Sequence, residues 1–366
     1  MIEDSPLVPA LLNWYRANAR DLPWRRTRDP YAIWVSEIML QQTQVKTVIP
    51  YWNRWMEKLP TIQSLVRARP QTIHKLWEGL GYYTRVRNMQ KAARVIVQEH
   101  DGKFPREFSQ VLELPGIGRY TAGAICSIAF NQPAPILDGN VVRVLARVFA
   151  LRGDPRETKT NETLWQITEK LVLEAAGAVD QRTGTRPSRL CSLFNQSLME
   201  LGALVCTPKQ PRCGLCPVAQ FCLAARQGLT DKLPTIKSRP VATHRRFVAF
   251  VLSQNDHFLV RRRPEGMVNA HLWEFPNVEI KKGDGDVDHN ACELLGGEPI
   301  PLQPLCRIKH SITRYRISLE AYQATVAARD QLPAGEGRWL DLRGLRRLPF
   351  ASAHKKILDR LENPTS

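Results

Sequence analysis

The spacing of apolar residues changes once along the chain, near residue 225. Before that point, apolar residues recur three and four positions apart, as between Trp34 and Ile49, where Gln42 interrupts the stripe. This period is typical of amphipathic helices. Breaks that contain Pro at 59–60, 69–70 and 131–133 separate segments of helix length. The pattern predicts helices from about residue 7 to 225.

Beyond residue 225 the pattern predicts a linker and then strands. Residues 226–246 contain six Lys or Arg, one acid and two prolines, which is a linker composition. Residues 247–253 and 258–261 read as strands on either side of a polar turn, and residues 315–322 alternate like another strand. We therefore predict a helical catalytic region at 1–225, a basic linker at 226–243 and an α+β domain at 244–366.

Charge narrows the choice of partner. The net charge is +17, from 52 Lys and Arg against 35 acids, and such an excess suggests a polyanionic partner such as nucleic acid, although anionic membranes attract the same charge. No apolar run is long enough to span a membrane, and the first six residues do not resemble a signal peptide. We expect a cytoplasmic protein, in which eight cysteines indicate a metal site rather than disulfides.

Four cysteines follow the spacing C-x6-C-x2-C-x5-C between residues 206 and 222, and three prolines indicate a compact loop. Four thiolates this close can hold an iron–sulfur cluster. The alternative is a zinc site, which usually shows two close pairs of cysteines. The predicted ligands are Cys206, Cys213, Cys216 and Cys222. The other cysteines are isolated and are expected to be buried apolar residues: Cys126, Cys191, Cys292 and Cys306.

A glycine-rich turn precedes a predicted helix at 122–130. In LPGIGRYTA, residues 114–122, Gly116 and Gly118 allow a tight turn whose N–H groups can face a phosphate. An ordinary turn between two helices is the alternative. The complete string is more specific, because it is similar to the helix–hairpin–helix element of DNA base-excision glycosylases.

Two acids are candidates for catalysis. The helical neighbours of Glu37 are mostly apolar, so its carboxyl group should lose solvation and its pKa should rise, as suits a general acid. The alternative is a glutamate at the edge of the apolar stripe whose carboxylate reaches water. Asp138 directly precedes a helical run at 141–148, where an aspartate can equally serve as an N-cap.

The order of these elements resembles the endonuclease III/MutY superfamily. Four strings resemble MutY in particular: DLPWR at 21–25, WVSEIMLQQT at 34–43, GLGYY at 79–83 and ELGALVC at 200–206. The resemblance implies a mainly α, helix–hairpin–helix glycosylase fold of two helical lobes, with a [4Fe–4S] cluster on the loop 206–222 and a C-terminal Nudix-like domain. It further implies a monomer that acts on double-stranded DNA containing A:8-oxoguanine or A:G mispairs.

The same resemblance implies roles for individual residues. Glu37 would protonate N7 of an extruded adenine, and Asp138 would stabilise the resulting oxocarbenium ion. Tyr120 and Asn140 would orient these groups. Bifunctional relatives carry a lysine where this chain has Tyr120, so a monofunctional enzyme is expected. The residues implied to contact the base or the DNA are Trp24, Arg25, Gln42, Tyr82, Gly116, Gly118 and Gln196.

The C-terminal region resembles a Nudix-like domain through RRRP at 261–264 and LWEFP at 272–276. Residues 288–297 lack the carboxylate-rich helix that nucleotide hydrolysis requires. The loop that reads Phe-Ser-His in the family is Ile312-Thr313-Arg314 here. The hydroxyl of Thr313 could contact the oxidised guanine, and Arg314 adds charge, which puts a strict preference for that lesion in question. Alternatively, both residues form an exposed strand edge.

Three other functions are opposed by features of the sequence. Tyr120 and the large C-terminal domain oppose a bifunctional, endonuclease III-like enzyme for oxidised pyrimidines. Glu37 and Asp138 oppose a DNA-binding iron–sulfur protein without catalysis. A nucleotide hydrolase lacks its metal-binding helix. Part of residues 176–190 has no counterpart in the family pattern, and this stretch is expected to form a surface insertion.

Overall fold

The computed structural model describes residues 6–178, 189–237, 242–281, 287, 300–312, 314–326 and 337–363. The chain forms two compact units. The helical unit comprises Met1–Arg67 and Arg87–Ser238, and the sheet unit comprises Ala68–Val86 and Arg239–Ser366. Among the described residues, no helix is long and apolar enough to span a membrane.

The first part of the chain is helical, as predicted. Three short 3₁₀ turns, at Pro23–Arg25, Cys213–Leu215 and Ala219–Phe221, complement the α-helices. The helices are α1 Leu7–Asn18, α2 Pro30–Leu40, α3 Val45–Lys58, α4 Ile62–Arg67, α5 Pro70–Leu76, α6 Thr84–Glu99, α7 Phe108–Glu113, α8 Arg119–Phe130, α9 Gly139–Val148, α10 Thr158–Gly177, α11 Leu190–Leu204 and α12 Leu223–Arg226.

The apolar stripe between Trp34 and Ile49 belongs to two helices. Helix α2 ends at Leu40 and α3 begins at Val45. Between them Gln42 has a φ of 59°, a left-handed conformation that interrupts the helix. Every residue of α2 from 31 to 39 is buried, so this helix lies inside the helical unit rather than on its surface.

Helix α11 packs against α1, α8, α9 and α10, and their apolar side chains form one core. The approach of α11 to the start of α9 is very close, because a Cβ atom on Gly202 would lie 2.6 Å from Cβ of Asn140. Only glycine fits at this position. The contact places the first turn of α9 beside the last turn of α11.

The sheet unit contains one seven-stranded sheet. Its order is β3-β2-β1-β6-β5, with β4 also paired to β1 and β7 to β2, and β1 runs parallel to β6. The predicted strands and the turn at Asn255 and Asp256 are confirmed. The elements are β1 Thr243–Gln254, β2 His257–Arg262, β3 Trp273–Glu274, β4 Asn277–Ile280, β5 Gln303–Ile312, β6 Tyr315–Thr325, β7 Gly337–Leu340, α13 Leu342–Arg346 and α14 Ser352–Glu362.

For two segments, the sequence pattern does not indicate the unit to which they belong. Residues 68–86 belong to the sheet unit, where Nζ of Lys75 donates to O of Leu348 (3.1 Å). Residues 226–237 of the predicted linker belong to the helical unit, where Arg147 donates to O of Leu233 (2.9 Å) and N of Lys237 donates to Asp154 (3.0 Å). The domain limits at 225 and 243 stay predictions.

Candidate active site

The helical unit contains a cavity of about 550 Å³, within the range typical of ligand sites. Its walls come from the segment before α2, from α2 and the turn after it, and from the starts of α8 and α9 together with α11. Eight predicted site residues line it: Trp24, Arg25, Glu37, Gln42, Tyr120, Asp138, Asn140 and Gln196. Residues far apart in sequence are thus gathered in one place.

The carboxyl group of Glu37 lies inside this cavity and is only 5% exposed. The hydroxyl of Tyr120 donates to its Oε2 at 2.6 Å. Burial raises the pKa of Glu37 to about 7, an effect that the hydrogen bond from Tyr120 and the charge of Arg25 oppose and the charge of Asp138 supports. Glu37 can therefore hold a proton near neutral pH, as its apolar sequence neighbours predicted.

Tyr120, the donor to Glu37, lies in the first turn of α8. Burial and the nearby carboxyl groups raise the pKa of its phenol above the ordinary value, so the hydroxyl keeps its proton. The sulfur of Met199 lies 3.4 Å from the same oxygen. No amine is present at this position. Helix α8 starts at Arg119, three residues earlier than predicted.

Asp138 is the N-cap of α9 and also lines the cavity, so the N-cap interpretation is confirmed and the catalytic one stays a prediction. Its Oδ1 accepts from N of Val141 (2.7 Å) and its Oδ2 from Nδ2 of Asn140 (2.9 Å). Burial raises the pKa of Asp138, whereas these hydrogen bonds favour the charged form. Arg143 donates to Oδ1 of Asn140 at 2.9 Å and holds that amide in place.

Sequence reasoning missed Arg20 and Glu200, which also line the cavity. The carboxylate of Glu200 is 1% exposed and forms ion pairs with Arg20 (2.6 Å) and Arg25 (2.8 Å). One signal was present: Glu200 follows Gln196 by four residues, so the two share a face of α11.

The predicted DNA-contacting residues outside the cavity lie in turns. Gly116 has a φ of +78°, and Gly118 is the N-cap of α8. Tyr82 has a φ of 47° and is 46% exposed. It belongs to residues 68–86 of the sheet unit and does not line the cavity.

The four predicted ligand cysteines line one further cavity in the helical unit. Among the described residues, no three or more His, Cys, Asp or Glu side chains are placed so that they could hold one metal ion, but all four cysteines line the same cavity. The guanidinium of Arg147 is buried there and donates to Sγ of Cys206 at 3.3 Å. A buried cation beside four thiols fits an anionic iron–sulfur cluster. Cys206, Cys213, Cys216 and Cys222 would hold that cluster.

The structure describes some, but not all, of the remaining cysteines and of the residues predicted to recognise the lesion. Cys126 and Cys191 are buried, as predicted, whereas Cys306 is only half-buried, and Cys292 lies outside the described residues. Thr313 also lies outside them, as do residues 288–297 and most of the predicted insertion, residues 179–188. Arg314 is exposed in the turn between β5 and β6, and its side chain donates to the hydroxyl of Tyr315 at 3.1 Å.

Three stretches match known protein families. Residues 35–170 match the HhH-GPD superfamily of base excision DNA repair proteins, residues 206–222 the iron–sulfur binding domain of endonuclease III, and residues 247–360 the NUDIX domain. A thermostable thymine-DNA glycosylase of known structure covers 60% of this chain and 95% of its own, with 30% identity and a TM-score of 0.52.

Two adenine DNA glycosylases are similar over most of the chain. The one from Rattus norvegicus is 36% identical over 95% of this chain and 76% of its own length. The one from Buchnera aphidicola subsp. Schizaphis graminum is 39% identical over 74% of each. This chain is a DNA glycosylase with a [4Fe–4S] cluster, and it belongs to the adenine DNA glycosylase family of base excision repair.

Proposed function

We propose that this chain is a monofunctional glycosylase that hydrolyses the N-glycosidic bond of adenine mispaired with 8-oxoguanine or guanine. The observation that carries the proposal is the buried carboxyl group of Glu37, whose pKa is about 7 and which accepts from Tyr120 at 2.6 Å. Asp138 lies in the same cavity with two hydrogen bonds to its carboxylate. The two acids thus differ in their hydrogen-bond donors, since Glu37 accepts from a phenol and Asp138 from a backbone N–H and an amide, which favour its charged form.

The adenine enters the cavity only after leaving the duplex, which costs a few kcal/mol of stacking and pairing. Gln42 and Tyr82 would fill the vacated space, and both have a left-handed backbone conformation between helices. Trp24, Arg25 and Gln196 would contact the base. The amide of Gln196 is already oriented, because its Oε1 accepts from Tyr15 at 3.1 Å.

In the chemical step Glu37 donates its proton to N7 of adenine. The C–N bond then breaks with both electrons passing to the base, which leaves as a neutral molecule. The sugar gains oxocarbenium character, and the carboxylate of Asp138 stabilises that charge. The deprotonated Glu37, held by the Tyr120 hydroxyl, accepts a proton from the attacking water.

The product would be an intact strand with an abasic site. Cleavage of the strand by a bifunctional enzyme requires an amine that forms a Schiff base with the sugar, and the phenol of Tyr120 cannot form one. Borohydride should therefore trap no efficient covalent complex between the protein and its DNA. Efficient trapping would contradict the monofunctional assignment.

The cluster supplies structure rather than bond breaking in this proposal. When bound, it crosslinks the loop 206–222 through its four thiolate ligands. The guanidinium of Arg147 on α9 donates both to Sγ of Cys206 and to O of Leu233. It therefore connects the loop and the segment after it to the helical unit. We propose that the chain works as a monomer on double-stranded DNA in the cytoplasm.

Recognition of the base opposite adenine is assigned to the turn between β5 and β6. Arg314 lies exposed in this turn, and Thr313 is the proposed contact to the lesion. If Thr313→Ala leaves the preference for 8-oxoguanine over guanine unchanged, this assignment is wrong.

The decisive experiment is single-turnover release of adenine from duplexes with 8-oxoguanine, guanine or cytosine opposite the adenine. We expect rapid release opposite 8-oxoguanine, slower release opposite guanine and little opposite cytosine, with Glu37→Gln as the inactive control. Equal rates on all three duplexes would refute the mispair specificity. No release from any duplex would refute the adenine glycosylase activity.

A further inference from the structure

A buried ion-pair cluster forms one wall of the cavity and has no part in the proton transfer described above. Its centre is the carboxylate of Glu200 on α11, and its other members are Arg20 and Arg25. We call these three residues the Glu200 cluster. The arginines come from the segment before α2, so the cluster connects two parts of the chain that are 175 or more positions apart.

The carboxylate of Glu200 accepts from both guanidinium groups through two nitrogen atoms each. Nε and Nη2 of Arg20 donate at 2.9 and 2.6 Å, and Nη1 and Nη2 of Arg25 donate at 3.0 and 2.8 Å. Paired bonds of this kind fix the plane of a guanidinium group as well as its position. Both oxygens of Glu200 are occupied, so Glu200 itself is poorly suited to donate or accept a proton during the reaction.

The same arrangement leaves part of Arg25 available. Its Nη1 also donates to O of Arg20 at 3.0 Å, which uses both hydrogens of that nitrogen. Within the described residues, the Nε–H of Arg25 and one N–H of its Nη2 donate to no acceptor. Arg25 lines the cavity and its side chain is only 14% exposed. Two donors on a largely buried side chain suit the ring nitrogens of a purine, which are acceptors.

Arg25 is also coupled to Gln196, another of the residues proposed to contact the base. Its guanidinium lies over the ring of Tyr15, 5.4 Å from the ring centre, and the hydroxyl of Tyr15 donates to Gln196. Holding Arg25 in place therefore also supports the ring that orients the amide of Gln196.

We propose that Glu200 is a positioning residue of the purine pocket, which clamps Arg25 so that its remaining donors meet the extruded base. The inference rests on the proposed function and extends it to a residue that does not touch the reacting atoms. Precise placement of this kind matters, because a displacement of about 1 Å in a catalytic cavity can cost roughly 100-fold in rate.

The cluster has a second, electrostatic consequence. The charge of Arg25 lowers the pKa of Glu37, and the carboxylate of Glu200 offsets part of that charge. Glu200 itself stays ionised: burial would raise its pKa, but the hydrogen bonds and charges of the two arginines hold it at about 2. Removing the negative charge of Glu200 should therefore lower the pKa of Glu37 and deplete the protonated acid at neutral pH.

The test compares the wild-type protein with Glu200→Gln and Glu200→Asp. For Glu200→Gln we expect single-turnover release of adenine to slow by about 10–100-fold, with affinity for a duplex that already carries an abasic site unchanged. The rate should also begin to decline at a lower pH than in the wild-type protein. A rate within about twofold of wild type and an unmoved pH profile would overturn the proposal.

Two further variants separate positioning from general damage. At a pH low enough to keep Glu37 protonated in every variant, the loss in Arg25→Gln/Glu200→Gln should equal that of Arg25→Gln alone, since Glu200 positions the base through Arg25, whereas additive losses would contradict that path. Glu200→Asp keeps the charge, so it should be slower but keep the wild-type pH profile, and this result decides the matter if the glutamine variant does not fold. Asp21→Asn, which removes an exposed ion pair with Arg26 in the same segment, is the matched control and should change neither property.

One readout does not depend on adenine release. The pKa of Glu37 can be measured by ¹³C NMR titration of labelled carboxyl groups, with Glu37→Gln identifying the resonance. A lower pKa in Glu200→Gln supports the inference even if the wild-type protein releases no adenine, a result that would refute the proposed function alone. An unchanged pKa in an active protein would count against the inference alone.

Discussion

At the scale of single residues, the chemistry depends on the unequal surroundings of two carboxyl groups. Glu37 is buried and accepts a hydrogen bond from a phenol, whereas Asp138 accepts from a backbone N–H and from an amide. Burial favours the protonated form and donors favour the ionised form. Burial raises the pKa of both acids, and two donors oppose that rise at Asp138.

The buried acid should reduce the stability of the protein at high pH. Its pKa is about 7 in the folded chain and 4.5 in the reference state, so between these values the unfolded chain loses a proton that the folded chain keeps. The contribution of this proton to the free energy of unfolding is therefore largest below about pH 4.5, and it is lost as the pH rises towards 7. Since a tenfold change in proton affinity is worth about 1.4 kcal/mol, the loss is on the order of 3 kcal/mol at most.

Glu37→Gln removes this titration. Urea unfolding should show that the variant gains stability relative to wild type as the pH is raised from 4 to 8, by up to about 3 kcal/mol, with little relative change at the acidic end. Asp21→Asn, at an exposed carboxyl group, is the control. Parallel pH profiles for wild type and Glu37→Gln would mean that the pKa of Glu37 is not raised.

Local sequence could predict the burial of Glu37, because its neighbours along α2 are apolar and burial of a helix face follows from that pattern. It could predict Asp138 as an N-cap for the same local reason. The partnership of Glu200 with Arg20 and Arg25 could not be predicted, since it depends on where α11 meets a segment some 180 residues earlier. No periodicity encodes that meeting.

At the scale of elements, the turn before α8 shows why two glycines in one motif are not equivalent. A Cβ atom on Gly116 would lie 2.6 Å from Cβ of Asn88, and the φ of Gly116 is +78°. A Cβ atom on Gly118 would meet nothing within 4 Å. The first glycine is required by space and by backbone conformation, and the second by neither.

Gly116→Ala should therefore destabilise the protein by about 1–3 kcal/mol, and Gly118→Ala should change stability by about 0.5 kcal/mol or less. Denaturant unfolding of the two variants measures the difference. If Gly118 is needed because DNA phosphates approach its backbone, Gly118→Ala will weaken DNA binding without weakening the fold. Equal stability losses in both variants would contradict this view of the turn.

The cysteine loop makes a second prediction at this scale. Cys213→Ser should lower the iron content and the visible absorbance of the purified protein and lower its melting temperature, because one of the four cluster ligands is lost. Cys306→Ser changes a half-buried cysteine of the sheet unit and should keep full iron content. Full iron content in both variants would exclude Cys213 as a ligand.

The elements themselves were largely predictable. Helix ends followed from Pro at 60 and 70, and the β1–β2 turn followed from its polar residues. The break between α2 and α3 was not apparent, because Gln42 interrupts an otherwise continuous apolar period by its backbone conformation, which its residue type does not require. Nor could the pattern show that residues 68–86 group with the sheet unit, since their own period is helical.

At the scale of the whole molecule, the excess of positive charge should govern DNA affinity. With a net charge of +17, binding should release many counterions. We expect the association constant to fall by about 10³–10⁵ between roughly 50 and 200 mM salt if 6–10 phosphates are contacted. Fluorescence anisotropy with an undamaged duplex measures the slope. A nearly flat salt dependence would mean that the charge serves another purpose.

The central claim is that a buried acid transfers its proton to the extruded adenine while a second carboxylate stabilises the sugar cation. The most direct measurement is the single-turnover rate of adenine release from an A:8-oxoguanine duplex by wild-type protein, Glu37→Gln and Asp138→Asn. We predict that each substitution slows release by about 10²–10⁴-fold while the variants still bind the duplex. Release at the wild-type rate by either variant would contradict the account.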